Sequence, residues 1–370
     1  TGAARRAKFR CRREGEGCRH RAFRVQGRMA KAERVLRGSS LALAAWVFLA
    51  CGKSSPPAPP ATSEATSTSS ERGAVPSAAA VSAPAPAPSP ARPAPPLPPR
   101  LVALGDLHGD LGAARRALRL AGAIDEKDHR SGGKLVIVQT GDEIDRGDAD
   151  RAILDLFDRL SDEAAAAGGQ VVPLLGNHEV MNAALDFRYV TEGAFRAFSS
   201  LAPGHAHDDL EPAARPRATA FAPGGIYAKL LAKRSVTARF GGTLFVHGGI
   251  LPKHIRYGLD RIDSEAHAWL LGGTGAPPKV LTAEDGPLWT RMYSAAPGSE
   301  ECKILKDMLE EAKADRLVMG HTVQRNGINA ACDGAAWRID VGMAQAFDGP
   351  IQVLEITAAG AKMLEEGTGK

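Results

Sequence analysis

Five apolar runs in this sequence end alike. "LVALGDLHG", "LVIVQTGDEIDRG", "VVPLLGNHE", "LFVHGG" and "LVMGHT" each pass from aliphatic residues, beside a glycine, to an aspartate, asparagine or histidine. The side chains so collected are Asp106, His108, Asp142, Asn177, His178, His247 and His321. They offer oxygen and imidazole nitrogen without thiolate, a donor set suited to Mn, Fe or Zn. Asp106 and His108 stand two apart, so on an extended segment both face the same way. Asp106, His108 and Asp142 make one ligand group; Asn177, His247, His321 and Asp142 make a second. Asp142 is then shared, and two ions joined by one carboxylate lie about 3.5–4 Å apart, as in two-metal hydrolases. The glycines have a reason in this arrangement, since without a Cβ the backbone can approach a ligand closely.

Such residues need strand ends to carry them. Apolar runs predict strands over 101–104, 135–139, 171–175, 243–246, 317–319, 337–341 and 351–356. Amphipathic stretches predict helices over 111–121, 149–167, 263–271 and 299–314, the second placing Ile153, Leu156, Phe157 and Leu160 on one stripe. The alternation implies an α/β domain over 99–358, with ligands gathered at the carboxyl ends of the strands of a single sheet. Residues 180–235 are less regular and read as an insertion over the open edge. Within it "GHAHDDLE", with His205, His207, Asp208 and Asp209, reads as a solvated lid loop.

The chain has 370 residues and a formal charge of +5, but the charge is uneven. Residues 1–38 hold 13 Lys/Arg and 3 Asp/Glu, a balance of +10, which leaves −5 for the remainder. A mildly acidic domain argues against nucleic acid as a partner. Residues 1–28 read as an upstream extension. From Met29 the sequence has a basic segment, an apolar run Leu41–Ala50 too short to span a bilayer, and Cys51, the pattern of a secretory signal over 29–51. Ala50–Cys51 is similar to a bacterial lipobox, which implies lipid attachment at Cys51 as the sole membrane contact. Export as a periplasmic or outer-membrane lipoprotein is the expectation. Residues 52–98, rich in Pro, Ala and Ser, read as a disordered tether, and 359–370 as a tail. Cys302 and Cys332 remain inside the domain; an oxidising compartment favours a bridge between them over two separate thiols.

"GDLHG", "GDEIDRG" and "GNHE", followed by "HGG" and "GHT", resemble the phosphoprotein phosphatase family of calcineurin-like metallophosphoesterases. "LLGNHEVMN", "DFRYV" and "GPLWTRMYS" are most similar to its Shewanella-like bacterial branch. The resemblance implies a central β-sandwich flanked by helices in α-β-β-α layers, in place of the single sheet. It also implies a hydroxide bridging the two ions, Mn favoured, that attacks a phosphomonoester on a phosphorylated protein or small molecule. His178 would protonate the leaving oxygen and Asp145 would orient it. Arg146 stands one short loop beyond Asp142, where a planar guanidinium can hold two phosphate oxygens. Asn177 is also counted at the phosphate, and Arg291 in "PLWTR" is carried by the resemblance, with Arg188 its competitor. The alternatives are a dinucleoside polyphosphate hydrolase and a non-catalytic surface lipoprotein on the same fold.

Overall fold

The computed structural model describes residues 95–201 and 207–367. The upstream extension, the signal segment with Cys51, the tether as far as residue 94, His205 and the last three residues lie outside the described residues.

Two five-stranded sheets form the centre. In chain order the strands are β1 (Leu101–Leu104), β2 (Val136–Gln139), β3 (Gln170–Pro173), β4 (Thr237–Phe240), β5 (Thr243–Val246), β6 (Arg316–Met319), β7 (Asn329–Ala331), β8 (Ala336–Arg338), β9 (Gln352–Thr357) and β10 (Gly360–Glu365). One sheet runs β10-β9-β1-β2-β3 and the other β4-β5-β6-β8-β7. The strands that lead into the candidate residues are parallel neighbours, β1 with β2, β2 with β3, and β5 with β6.

Alternation along the buried strands explains why there are two sheets. On β5, Phe245 joins a core containing β1, β2 and β9, while Leu244 and Val246 join a separate core on the opposite face. On β6, Val318 and the pair Leu317 and Met319 divide in the same way. A strand apolar on both faces needs a partner layer on each. The first sheet is covered outside by α1 (Leu111–Leu120) and α2 (Asp150–Ala166). The second is covered by α10 (Ser299–Ala312), through Leu305, Met308 and Leu309. The layers are therefore α-β-β-α, as the family resemblance implied, and the single sheet expected from periodicity alone is corrected.

A third core lies under the helices α3 (Asn177–Ala183), α4 (Glu192–Arg196), α5 (Arg215–Phe221), α6 (Ile226–Leu231), α8 (Leu259–Leu270) and α9 (Lys279–Thr282). It gathers Phe198, Phe221, Tyr227, Ile262 and Trp269. The stretch expected to be an irregular insertion is thus a packed helical lobe. One further helix, α7 (Pro252–Tyr257), packs against α10.

Two boundaries also move. Gly360–Glu365 is not tail but the edge strand β10, paired antiparallel with β9. The tether ends sooner than expected: the Pro95 carbonyl accepts the Gly241 N–H at 2.7 Å, and Leu97 packs on the central core. The structure joins Cys302 to Cys332 in a disulfide, which ties the start of α10 to the turn after β7.

Candidate metal centre

Each strand end delivers its residue through a sharp turn. His108, Asp142, Asp145, Arg146 and His321 all hold left-handed φ, between 42° and 70°. That conformation costs a non-glycine residue about 1 kcal/mol or more, and clusters of it mark functional sites. The turns are laced together. The N–H groups of Leu107 and His108 both donate to the Asp142 carbonyl at 3.0 Å, and the Gly109 N–H donates to the Glu143 carbonyl at 2.9 Å. Two glycines of the recurring pattern show why they are there. A Cβ at Gly176 would collide with the Asp142 carboxylate, and one at Gly320 with that of Asp106.

The second ligand group is the tighter. His247 Nδ1–H donates to the Thr140 carbonyl at 2.9 Å, which leaves Nε2 as a bare lone pair. His321 Nε2–H donates to the Trp289 carbonyl at 3.1 Å, which leaves Nδ1 bare. These two nitrogens face each other at 3.1 Å, with Asn177 Oδ1 at 2.9 Å and Asp142 Oδ2 at 3.2 Å from His247 Nε2. These four polar atoms, gathered at His247 Nε2, make a donor set that a metal cation would satisfy.

The first group is more open. His108 Nδ1–H donates to the Ile144 carbonyl at 3.3 Å, and Nε2 stands 3.9 Å from Asp106 Oδ2 and 3.9 Å from Asp142 Oδ2. Both oxygens of Asp106 accept the His321 N–H, at 3.2 and 3.1 Å, which links the two groups. His178 stands closer to this group than a purely catalytic role suggested, with Nε2 3.7 Å from Asp142 Oδ2. Asp142 belongs to both clusters whose ligand atoms converge, His108–Asp142–His178 and Asp142–His247–His321.

The electrostatics fit divalent ions. Burial, then the carboxylates of Asp340 and Asp142, pushes the Asp106 carboxyl well above its ordinary value. A cation between these acids removes that repulsion. Burial lowers His108 to about 3 and His321 to about 2, which keeps both imidazoles neutral, the form that ligates a metal. Asp142 is buried, yet the histidines around it, His247 and then His178 foremost, hold its carboxyl well below the usual carboxylate range whenever their rings carry a proton.

Around the ligands stand the remaining candidates. His178 Nδ1–H donates to Asp145 Oδ2 at 2.6 Å. Burial disfavours the charged imidazole, but Asp142 and Asp145 outweigh burial and raise its pKa. The Arg146 guanidinium lies 4.5 Å from the Tyr189 ring centre and 5.2 Å from that of Phe347, and its buried Nε has no partner. Beside it a cavity of about 540 Å³ is lined by His108, Asp110, Arg146, Asp148 and Gln345 among others. Arg291 donates to the His321 carbonyl at 2.7 Å and to Thr322 Oγ1 at 2.8 Å, so it lies beside a ligand histidine. Arg188, its competitor, is instead spent on a surface pair with Asp186 at 2.6 Å. In the loop after the undescribed 202–206, Asp208 accepts from Arg215.

Two buried acids near the ligands were missed. Glu179 accepts the N–H groups of Asp142, Glu143 and Gly176 at 2.7–2.9 Å and so fixes the turn that holds the shared carboxylate. Its place in "GNHE" was the available signal. Asp340, which burial raises to about 6, follows β8 in "RIDVG", the same pattern of strand, acid and glycine. The expected strand over 337–341 ran through it and hid it; β8 ends at Arg338.

Residues 99–325 match the family model described as calcineurin-like phosphoesterase, more than half of the chain. The chain is a calcineurin-like phosphoesterase. Among curated relatives of this phosphoesterase, Shewanella-like protein phosphatase 2 of Arabidopsis thaliana is 37% identical over 294 residues, covering 70% of this chain and 75% of the relative. An uncharacterized protein of Schizosaccharomyces pombe is 32% identical over 269 residues, covering 70% and 78%. The phosphoesterase therefore falls in the Shewanella-like group. Among solved structures, the cold-active protein tyrosine phosphatase of a psychrophilic Shewanella species superposes with a TM-score of 0.61 at 22% identity, covering 74% of this chain and 83% of that one. That likeness is one of fold. As a member of this family the chain is a metal-dependent phosphoester hydrolase.

Proposed function

We propose that this phosphoesterase hydrolyses phosphomonoesters on proteins, at phosphotyrosine or phosphoserine/threonine, with two divalent ions of which Mn is favoured. The observation that carries the reading is the shared Asp142 carboxylate: its Oδ2 lies 3.2 Å from His247 Nε2 on one side and 3.9 Å from His108 Nε2 on the other. Asp106 and His108 would hold one ion with Asp142, and Asn177, His247 and His321 the other. Bound there, the ions would lower the pKa of water and draw charge from the phosphoryl oxygens. The chain's own groups do the rest. Arg146, whose Nε has no protein partner, offers its fork to two phosphate oxygens, and Asn177 and Arg291 would contact the phosphate as well. His178, whose charged form Asp142 and Asp145 favour against burial, gives its Nε2 proton to the leaving oxygen. The cavity beside His108 and Arg146 has room for the rest of the substrate.

The relatives' names agree with a protein substrate, one being called a protein phosphatase and one similar fold a protein tyrosine phosphatase. The test is turnover by the full chain with Mn²⁺ of a phosphotyrosine peptide, a phosphoserine peptide and a dinucleoside tetraphosphate. Turnover of either peptide, abolished by a chelator, is expected. Turnover of the dinucleotide alone would reject the reading. Export with lipid on Cys51 is proposed on the Met29–Cys51 stretch; palmitate labelling that disappears in Cys51→Ser is the expected result.

A further inference from the structure

Behind the His178–Asp145 pair lies a buried cation that the reaction described above does not use. Arg217, on α5, is fully buried, and its side chain reaches three functional groups. Nη2 donates to Asp150 Oδ2 at 2.6 Å and lies 3.4 Å from Asp145 Oδ1. Nε donates to Asn182 Oδ1 at 2.8 Å. The remaining Nη1 donates to the Ala194 carbonyl at 3.3 Å, and the rings of Phe198 and Phe221 lie 5.0 and 4.8 Å from the guanidinium carbon.

The geometry fixes more than the arginine. A guanidinium only donates, so the Asn182 atom facing it must be the oxygen. The amide nitrogen is thereby turned the other way, where it donates to Asp145 Oδ1 at 2.9 Å and to the His178 carbonyl at 3.0 Å. Asp150 Oδ1 accepts the Asp145 N–H at 3.0 Å and holds the left-handed turn from below. With Oδ1 of Asp145 occupied by Asn182 and Arg217, Oδ2 is left for His178 Nδ1 alone, at 2.6 Å. Each polar contact in this chain of groups has one direction available, and the last of them sets the plane and tautomer of the imidazole.

We propose that Arg217 and Asn182 are positioning residues for His178: they hold Asp145 so that the imidazole, anchored through Nδ1, aims Nε2 at the leaving oxygen. This rests on the general-acid reading of His178. A purely structural arginine would also be buried and paired, but its loss would slow all substrates alike. A positioning residue acting through a general acid matters most where the leaving oxygen is a poor one, such as a serine alkoxide, and least for a nitrophenolate.

The experiment uses the full chain loaded with Mn²⁺, its ions counted by elemental analysis, with a phosphoserine peptide and p-nitrophenyl phosphate as substrates. Arg217→Met and Asn182→Ala should keep both ions. Each should lower kcat on the phosphoserine peptide by about tenfold or more, while p-nitrophenyl phosphate loses about threefold at most. The double variant His178→Asn/Asn182→Ala should be no slower on the peptide than His178→Asn. Asn182→Ala keeps the Arg217–Asp150 pair and carries the test where Arg217→Met fails to fold. Equal losses on both substrates, or an added loss in the double variant, would overturn the assignment while leaving a selective His178→Asn intact. Equal losses in His178→Asn itself would overturn the general-acid reading and the assignment with it.

Discussion

The site has a floor and a wall, and they are built differently. The floor is made of strand ends: Asp106, His108, Asp142, His247 and His321 follow β1, β2, β5 and β6 within a few residues. The wall is largely helical: His178 and Asn182 stand on α3 and Arg217 on α5, with Tyr189 in the turn after α3 and Arg146 in the loop between β2 and α2. Floor residues point bare lone pairs at a common point, whereas wall residues point donors at one another and into the cavity. Damage to the floor should therefore remove ions, and damage to the wall should leave the ions and change the kinetics.

The sharpest break is Asp142→Asn. Losing the carboxylate common to both ligand groups should remove both ions and lower turnover by about 10³-fold or more. Two retained ions per chain by elemental analysis would refute the shared role. Next is His178→Asn, a wall change. Turnover of a phosphoserine peptide should fall by about 10²-fold with full metal content, and an aryl phosphate should be nearly spared. A third, smaller effect concerns Tyr189, whose ring covers Arg146 at 4.5 Å and lies 5.0 Å from that of His178. Tyr189→Leu should raise KM by about fivefold, the worth of about 1 kcal/mol of cation–π contact, with kcat little changed. An unchanged KM would mean the ring does not hold the guanidinium.

The smallest effect lies outside both regions and separates stability from chemistry. His254 on α7 is buried, and its Nδ1 accepts the Leu251 N–H at 3.1 Å. Burial, with Lys253 nearby, lowers its pKa from 6.5 to about 4. The unfolded chain therefore takes up this proton first, and the stability contributed by the neutral ring, present above about pH 6.5, is lost as pH falls toward 4. In His254→Asn the fall in Tm between those pH values should be shallower, with turnover at neutral pH unchanged. An identical slope would mean that other groups set it.

The floor was legible in the sequence and most of the wall was not. Metal ligands on strand ends leave a local trace, because glycine must sit where the carboxylate passes, as at Gly176 and Gly320. Apolar strands could be found from their own composition, and their ends moved by three residues at most, with β1 and β5 not moving at all. Which of two sheets each strand joins is a matter of docking, and no period of two reports it; the family resemblance supplied it. β4, β7 and β10 escaped because edge strands such as "TARF" and "GAKMLE" are partly exposed and carry charge. Arg217 escaped because nothing in "RPRATAF" distinguishes a buried arginine from a solvated one. Left-handed φ at five non-glycine residues is likewise a property of the assembled turns.

The bond from the His321 N–H to Asp106 joins residues 215 positions apart. The ligand group of Asn177, His247, His321 and Asp142 therefore comes together only when the first and second sheets have docked. An ion with affinity for that docked state alone would stabilise it by mass action, by about 2.7 kcal/mol at a hundredfold excess over Kd. Metal supply would then govern how long a newly made molecule survives as well as how fast it works.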